Sequence, residues 1–210
     1  RSTADAAAML QAIAGHDPND PTSLPDPVPD LLGNIDKDIK GVRIGLDKDY
    51  ITRNSDPKLA KAVISGTKEL QAFGVKIVPI TFPDVDQYVP AWISLCSAEA
   101  VLAHSQTYPS RREEYGPWFR DWLDIGANVT GADYARANIL RATCNGLFHQ
   151  VFQEIDILAC PTMNRPPHPV TPEALYGPIG DRDPNMGRFT QPFDYSGRPT
   201  LSVPCGLNQK

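Results

Sequence analysis

No two glycines are adjacent anywhere in this sequence, and no glycine-rich loop of the phosphate-cradling kind is present. Runs of Lys and Arg are also lacking. The basic residues stand singly or in pairs, and a net charge of −5 argues against a nucleic-acid partner. The four cysteines (Cys96, Cys144, Cys160, Cys205) form no C-x-x-C pair and have no histidine nearby at zinc-ligand spacing. A disulfide framework and a metal site are both excluded as expectations, and a reducing cytoplasm fits better. No apolar run approaches the length of a membrane span, and none follows a basic N-terminus in the manner of a signal peptide. The expectation is a soluble cytoplasmic protein without metal or cofactor.

Proline, by contrast, is abundant. Its 21 copies in 210 residues are about twice the ordinary share, so many stretches must be extended loops or edge strands. With 41 % hydrophobic residues the chain has enough apolar surface to fold, and its length suffices for one sizeable core or two small ones.

Ser2 or Thr3 is placed to cap a first helix that carries Ala6, Met9, Leu10 and Ile13 on one face and closes at Gly15. A linker rich in Asp-Pro pairs follows to about Asp30. Residues 42–46 alternate like a strand, Asp56 or Pro57 opens a helix to Phe73, and residues 75–80 form a second strand. The expected stripe of that helix is Leu59, Ala62, Val63, Gly66, Leu70 and Phe73, with Gly74 as its stop. This strand–helix–strand order predicts a βαβ crossover and at least one parallel strand pair. Further helices are expected over 88–104, around Trp118–Leu123 with a break at Gly126, and over 133–152. Short strands are expected at 155–159 and 200–203.

Two stretches invite chemical readings. Residues 156–169 read DILACPTMNRPPHP, where Cys160 and His168 stand eight residues apart. A nucleophilic thiol needs an adjacent base or a helix N-terminus. Here the cysteine ends an apolar strand and precedes proline, which favours a small inert thiol. The segment Phe189–Pro199 is held rigid by Pro192, Gly197 and Pro199, and it serves either as a ligand-pocket wall or as a packing edge. No G-x-S-x-G elbow exists, since Ser196 lacks the preceding glycine.

Several segments in register resemble the amidase signature family. They are Arg1–Ala6 running to Ala14-Gly15-His16-Asp17-Pro18-x-Asp20-Pro21-x-Ser23, then Gly41–Gly45, then Asp133-Tyr134-x-x-Ala137-x-x-x-Arg141. Asp156-Ile157-Leu158-x-x-Pro161-Thr162 and Phe189-Thr190-x-Pro192 through Gly197-x-Pro199-x-x-Ser202-Val203-Pro204-x-Gly206 complete the set. The likeness covers nearly the whole chain. It implies an α/β/α architecture around a mixed sheet, with residues 1–210 as a partial domain following the Gly/Ser-rich catalytic core. It also implies hydrolysis of a carboxylic amide by a Lys–cis-Ser–Ser triad through an acyl-enzyme. No residue of this chain matches that triad, so none is assigned as catalytic and the chain alone is expected to be inactive.

What the resemblance implies for this segment is pocket wall. The helix around Trp92 and Cys96, the loop at Thr162 and Met163, and a strand-loop holding Phe189, Thr190 and Phe193 would face the catalytic serine. The implied partners are a small-molecule amide, the catalytic segment of the same enzyme, and a second copy in a homodimer, with no nucleic acid bound directly and no membrane. Two alternatives stand beside this reading: a non-catalytic remnant acting as a binding module, and an A-type subunit of a glutamine-dependent tRNA amidotransferase. Those amidotransferases carry an acidic residue where Gly187 stands here, and Asp194 replaces the asparagine usual in the loop.

Overall fold

The computed structural model describes residues 2–167, 170–177, 183 and 185–206, and divides the chain into two compact units, 1–40 and 41–210. In the first unit, helix α1 (Thr3–Ile13) begins with a reciprocal cap. The Ser2 hydroxyl accepts from the Asp5 backbone N–H at 3.1 Å, and the Asp5 carboxylate accepts from the Ser2 backbone N–H at 3.0 Å. The linker after it is organised by its own short side chains. Ser23 Oγ accepts from the Asp17 N–H, Asp20 accepts from the Thr22 N–H, and Gln11 Oε1 accepts from the N–H groups of Leu31 and Leu32.

The second unit is built on three strands, β1 (Arg43–Leu46), β2 (Lys76–Pro79) and β3 (Ile157–Leu158), in the order β2-β1-β3. Both pairings are parallel, with Ile44 opposite Ile77 on one side and Ile157 on the other. The crossover between β1 and β2 contains α2 (Lys48–Thr52) and α3 (Pro57–Glu69), as the strand–helix–strand order requires. Asp56 caps α3 by accepting from the N–H groups of Lys58 and Leu59, and Pro57, which has no N–H to leave unbonded, takes the first turn.

Downstream lie α4 (Val89–Ala103), α5 (Pro117–Ala127), α6 (Gly131–Glu154), α7 (Pro172–Tyr176) and α8 (Gln191–Ser196). Helix α6 starts with a second reciprocal cap between Thr130 and Asp133, and α4 packs against α5, α6 and α8. The main core is aromatic: Tyr50, Phe82, Phe148, Phe189 and Phe193 are all buried. Phe148 is fully enclosed, stacked on Phe82 at 5.4 Å and on Phe193 at 5.5 Å between ring centroids.

Four expectations are corrected. Phe73 is 65 % exposed, because α3 ends at Glu69 and a tighter 3-10 turn over Leu70–Phe73 rotates Phe73 off the buried stripe. Gly126 does not break α5. A Cβ there would sit 2.1 Å from the Ser97 carbonyl oxygen of α4, so glycine is present to let the two helices touch. The stretch expected as a strand-loop through Phe193 is helical from Gln191, because Pro192 suits the first turn and Gly197, at φ 71°, supplies the left-handed stop. Residues 200–203 are exposed and joined to no strand among the described residues, so alternation alone did not make them sheet.

Candidate substrate-wall site

Helix α4 places Trp92 and Cys96 one turn apart on one face. The Trp92 indole N–H donates to the Asp194 carboxylate of α8 at 2.5 Å, fixing α4 to α8 at this point. The Cys96 thiol is pushed up to about 11, first by burial and then by the negative charges of Asp194 and Glu99, with Arg141 acting in the opposite sense. Beyond Cys96, the Tyr134 hydroxyl of α6 donates to Glu99 at 3.0 Å. Trp92, Cys96, Glu99, Tyr134, Arg141 and Asp194 thus form one polar and aromatic group where α4, α6 and α8 meet.

The other expected wall residues are placed differently. Thr162 and Met163, in the loop after β3, are exposed, and the Thr162 hydroxyl is 3.1 Å from that of Ser202. Thr190 is exposed and donates to the Gly187 carbonyl at 3.3 Å. Phe189 and Phe193 are buried in the aromatic core, Phe189 edge-on to Tyr50 at 5.1 Å. No hydrogen bond or ring contact among the described residues joins Thr162 or Met163 to Trp92 or Cys96. A separate open groove of about 840 Å³ at the carboxyl ends of β1 and β2, lined in part by Asp47, Tyr50, Arg53 and Thr81, contains none of the expected residues.

The nucleophile candidates can be judged on their surroundings. Burial pushes the Cys160 thiol up to about 12, the opposite of activation, and His168 lies outside the described residues. The Ser196 hydroxyl donates to the Phe193 carbonyl at 2.8 Å and is buried. Among the described residues there is no group of three or more potential metal ligands, and no helix long and apolar enough to cross a membrane. The arrangement can line and orient, and among the described residues it presents no activated nucleophile.

Sequence reasoning missed Arg188. Its guanidinium is 1 % exposed and lies between the rings of Tyr50 (5.0 Å) and Phe189 (5.1 Å), donating to the Arg53 carbonyl at 2.6 Å. The Tyr50 hydroxyl in turn donates to the Arg188 carbonyl at 2.8 Å, and burial raises its pKa. Two guanidinium nitrogens, Nε and Nη2, are buried without a hydrogen-bond partner. Nothing in the local pattern marks this arginine as internal, since a cation beside Phe-Thr reads equally well as a surface residue. Asp194 stands out in the sequence only as a departure from a resemblance; its indole acceptor role is visible only once α4 and α8 are brought together.

The family model described as Amidase matches residues 1–210, the whole chain. The chain belongs to the amidase family. An amidase of Pseudomonas putida is 32 % identical over 212 residues, covering all of this chain and 46 % of that protein. The A-type subunit of the glutamyl-tRNA(Gln) amidotransferase of Akkermansia muciniphila is 30 % identical over 233 residues, covering 98 % of this chain and 48 % of that protein. In fold, a bacterial aryl acylamidase of the amidase signature family superposes with a TM-score of 0.79 at 22 % identity, over 99 % of this chain and 46 % of that structure. The expected α/β fold of the amidase signature family is therefore the observed one. This amidase-family chain spans about half the length of the curated relatives it matches.

Proposed function

We propose that this chain is the substrate-wall segment of an amidase, completed by a catalytic segment that carries the Lys–cis-Ser–Ser triad. The observation that carries the reading is the family match over residues 1–210 together with relatives about twice as long. In the completed enzyme a serine attacks the amide carbonyl, the amine leaves with a proton relayed from the lysine, and water releases the acid from the acyl-enzyme. Trp92, Cys96, Thr162, Met163 and Thr190 line the substrate, while Phe189 and Phe193 hold α8 against the core from behind. The enzyme works in the cytoplasm as a soluble protein and needs no cofactor.

A hydrolase is favoured over an amidotransferase component by one local feature. The position that is acidic in amidotransferases is Gly187 here, and a Cβ at Gly187 would lie 2.2 Å from the Gln191 side chain, which occupies that space.

The test is the intact mass of the purified protein followed by a panel of amides assayed for amine or ammonia release. A mass well above that of 210 residues, with release blocked by a serine-directed fluorophosphonate, is the expected result. Activity in the isolated 210-residue chain, or none in the full-length protein, would reject the reading.

A further inference from the structure

All three tryptophans of the chain fall in one stack. Trp118 and Trp122, one turn apart on α5, lie 5.9 Å apart at an interplanar angle of 10°, and Trp122 meets Trp92 of α4 at 6.0 Å and 50°. Each is only half-buried, in contrast to the enclosed rings of the core. The stack is rigid for two separate reasons. Gly126 lets α5 approach the α4 backbone at Ser97, and the Asp194 carboxylate of α8 accepts from the Trp92 indole N–H. The indole surface that remains exposed is costly to leave in water, and its flat, electron-rich faces match a planar ring better than a flexible or puckered apolar group.

We propose that this stack, ending at Trp92, is the specificity wall for an aryl group, so that the amides taken by the enzyme carry an aromatic ring on the acyl or the amine side. The inference rests on the amide-hydrolase reading and deepens it. Trp92 is the contact surface; Trp122 and Asp194 are positioning residues that set its plane.

The experiment is a titration of intrinsic fluorescence in the full-length protein, with acetanilide compared against N-cyclohexylacetamide, which keeps the amide and the ring size and removes the planar face. All three tryptophans of these 210 residues lie in the stack, so stacking there is expected to quench the part of the emission that Trp92→Leu alters. Acetanilide is expected to bind about 3- to 10-fold more tightly, the range that an aromatic pair contributes beyond burial. Trp92→Leu should abolish the difference. Asp194→Ala, which leaves every ring in place, should reduce it, and so tests the wall even if Trp92→Leu fails to fold. Equal affinities, no binding of either amide, or an aryl preference unchanged in both variants would overturn the proposal. Aryl-selective binding without hydrolysis of any amide would instead reject the hydrolase reading and leave the wall standing. Hydrolysis without aryl preference would do the reverse.

Discussion

The two aromatic groups of this molecule are made from similar side chains and end in different roles. The Tyr50–Phe82–Phe148–Phe189–Phe193 group is sealed, drawn from α2, the β2–α4 connection, α6 and the α8 region, and binds distant parts of the chain into one core. The Trp92–Trp122–Trp118 group comes from two neighbouring helices and stays only partly buried. Composition does not separate them. Sequence separation and burial do, and they teach that an aromatic cluster assembled locally is available for binding while one assembled globally is committed to stability.

That contrast can be broken at its strongest point by Phe148→Ala. Deleting a fully enclosed ring stacked on two others should cost about 3–5 kcal/mol in denaturant unfolding. A loss under about 1 kcal/mol would mean that the core relaxes around the cavity and the cluster is not what ties the elements together.

Gly126→Ala comes next, since its methyl would press on the Ser97 carbonyl. It should destabilise the protein by about 1–3 kcal/mol and shift tryptophan emission, because α5 carries two of the three indoles. Unfolding without an emission change would detach the helix contact from the stack.

Asp194→Ala removes the acceptor of the Trp92 N–H at a partly exposed site and should cost about 0.5–1 kcal/mol by thermal or chemical unfolding, whereas Asp194→Asn keeps an acceptor and should be nearly silent. If both variants behave alike, the bond does not hold the stack in place.

The smallest effect is expected from the thiols. Cys96 and Cys144 are pushed up to about 11 and Cys160 to about 12 by burial, while Cys205 is exposed. Native labelling with a disulfide reagent at about pH 8 should therefore modify Cys205 first, and unfolding should release the other three. The folded state keeps these three protonated above the ordinary thiol value of 9.0, where the unfolded chain loses its protons. Their contribution is thus present in full below about pH 9 and falls as pH rises from there towards about 12. Fast native labelling of Cys160 would contradict its burial.

Much of this architecture is legible in the sequence because local and global signals agree. The Asp56-Pro57 start of α3, the crossover between β1 and β2, and the long α6 each have a cap or a period that tertiary structure leaves unchanged. The failures come where packing overrides local preference. Gly126 reads as a breaker until the neighbouring backbone is known to touch it, and α8 is too short for a helical period to show through its proline and two aromatic rings. The helix that carries Trp92 and Cys96 could be read from its spacing, while their place in a substrate wall came only from the family resemblance; the Asp194 bond joins residues 102 positions apart and could be read from neither. Arg188 was illegible for a related reason: apart from the adjacent Phe189, the groups that enclose and bond it come from α2 and the residue after it, far back in the chain.

That arginine has a consequence of its own. Enclosed by the rings of Tyr50 and Phe189 and donating to the Arg53 carbonyl, Arg188 acts as a splint: it ties the turn leading into Thr190 and α8 to the end of α2, 135 positions back in the chain.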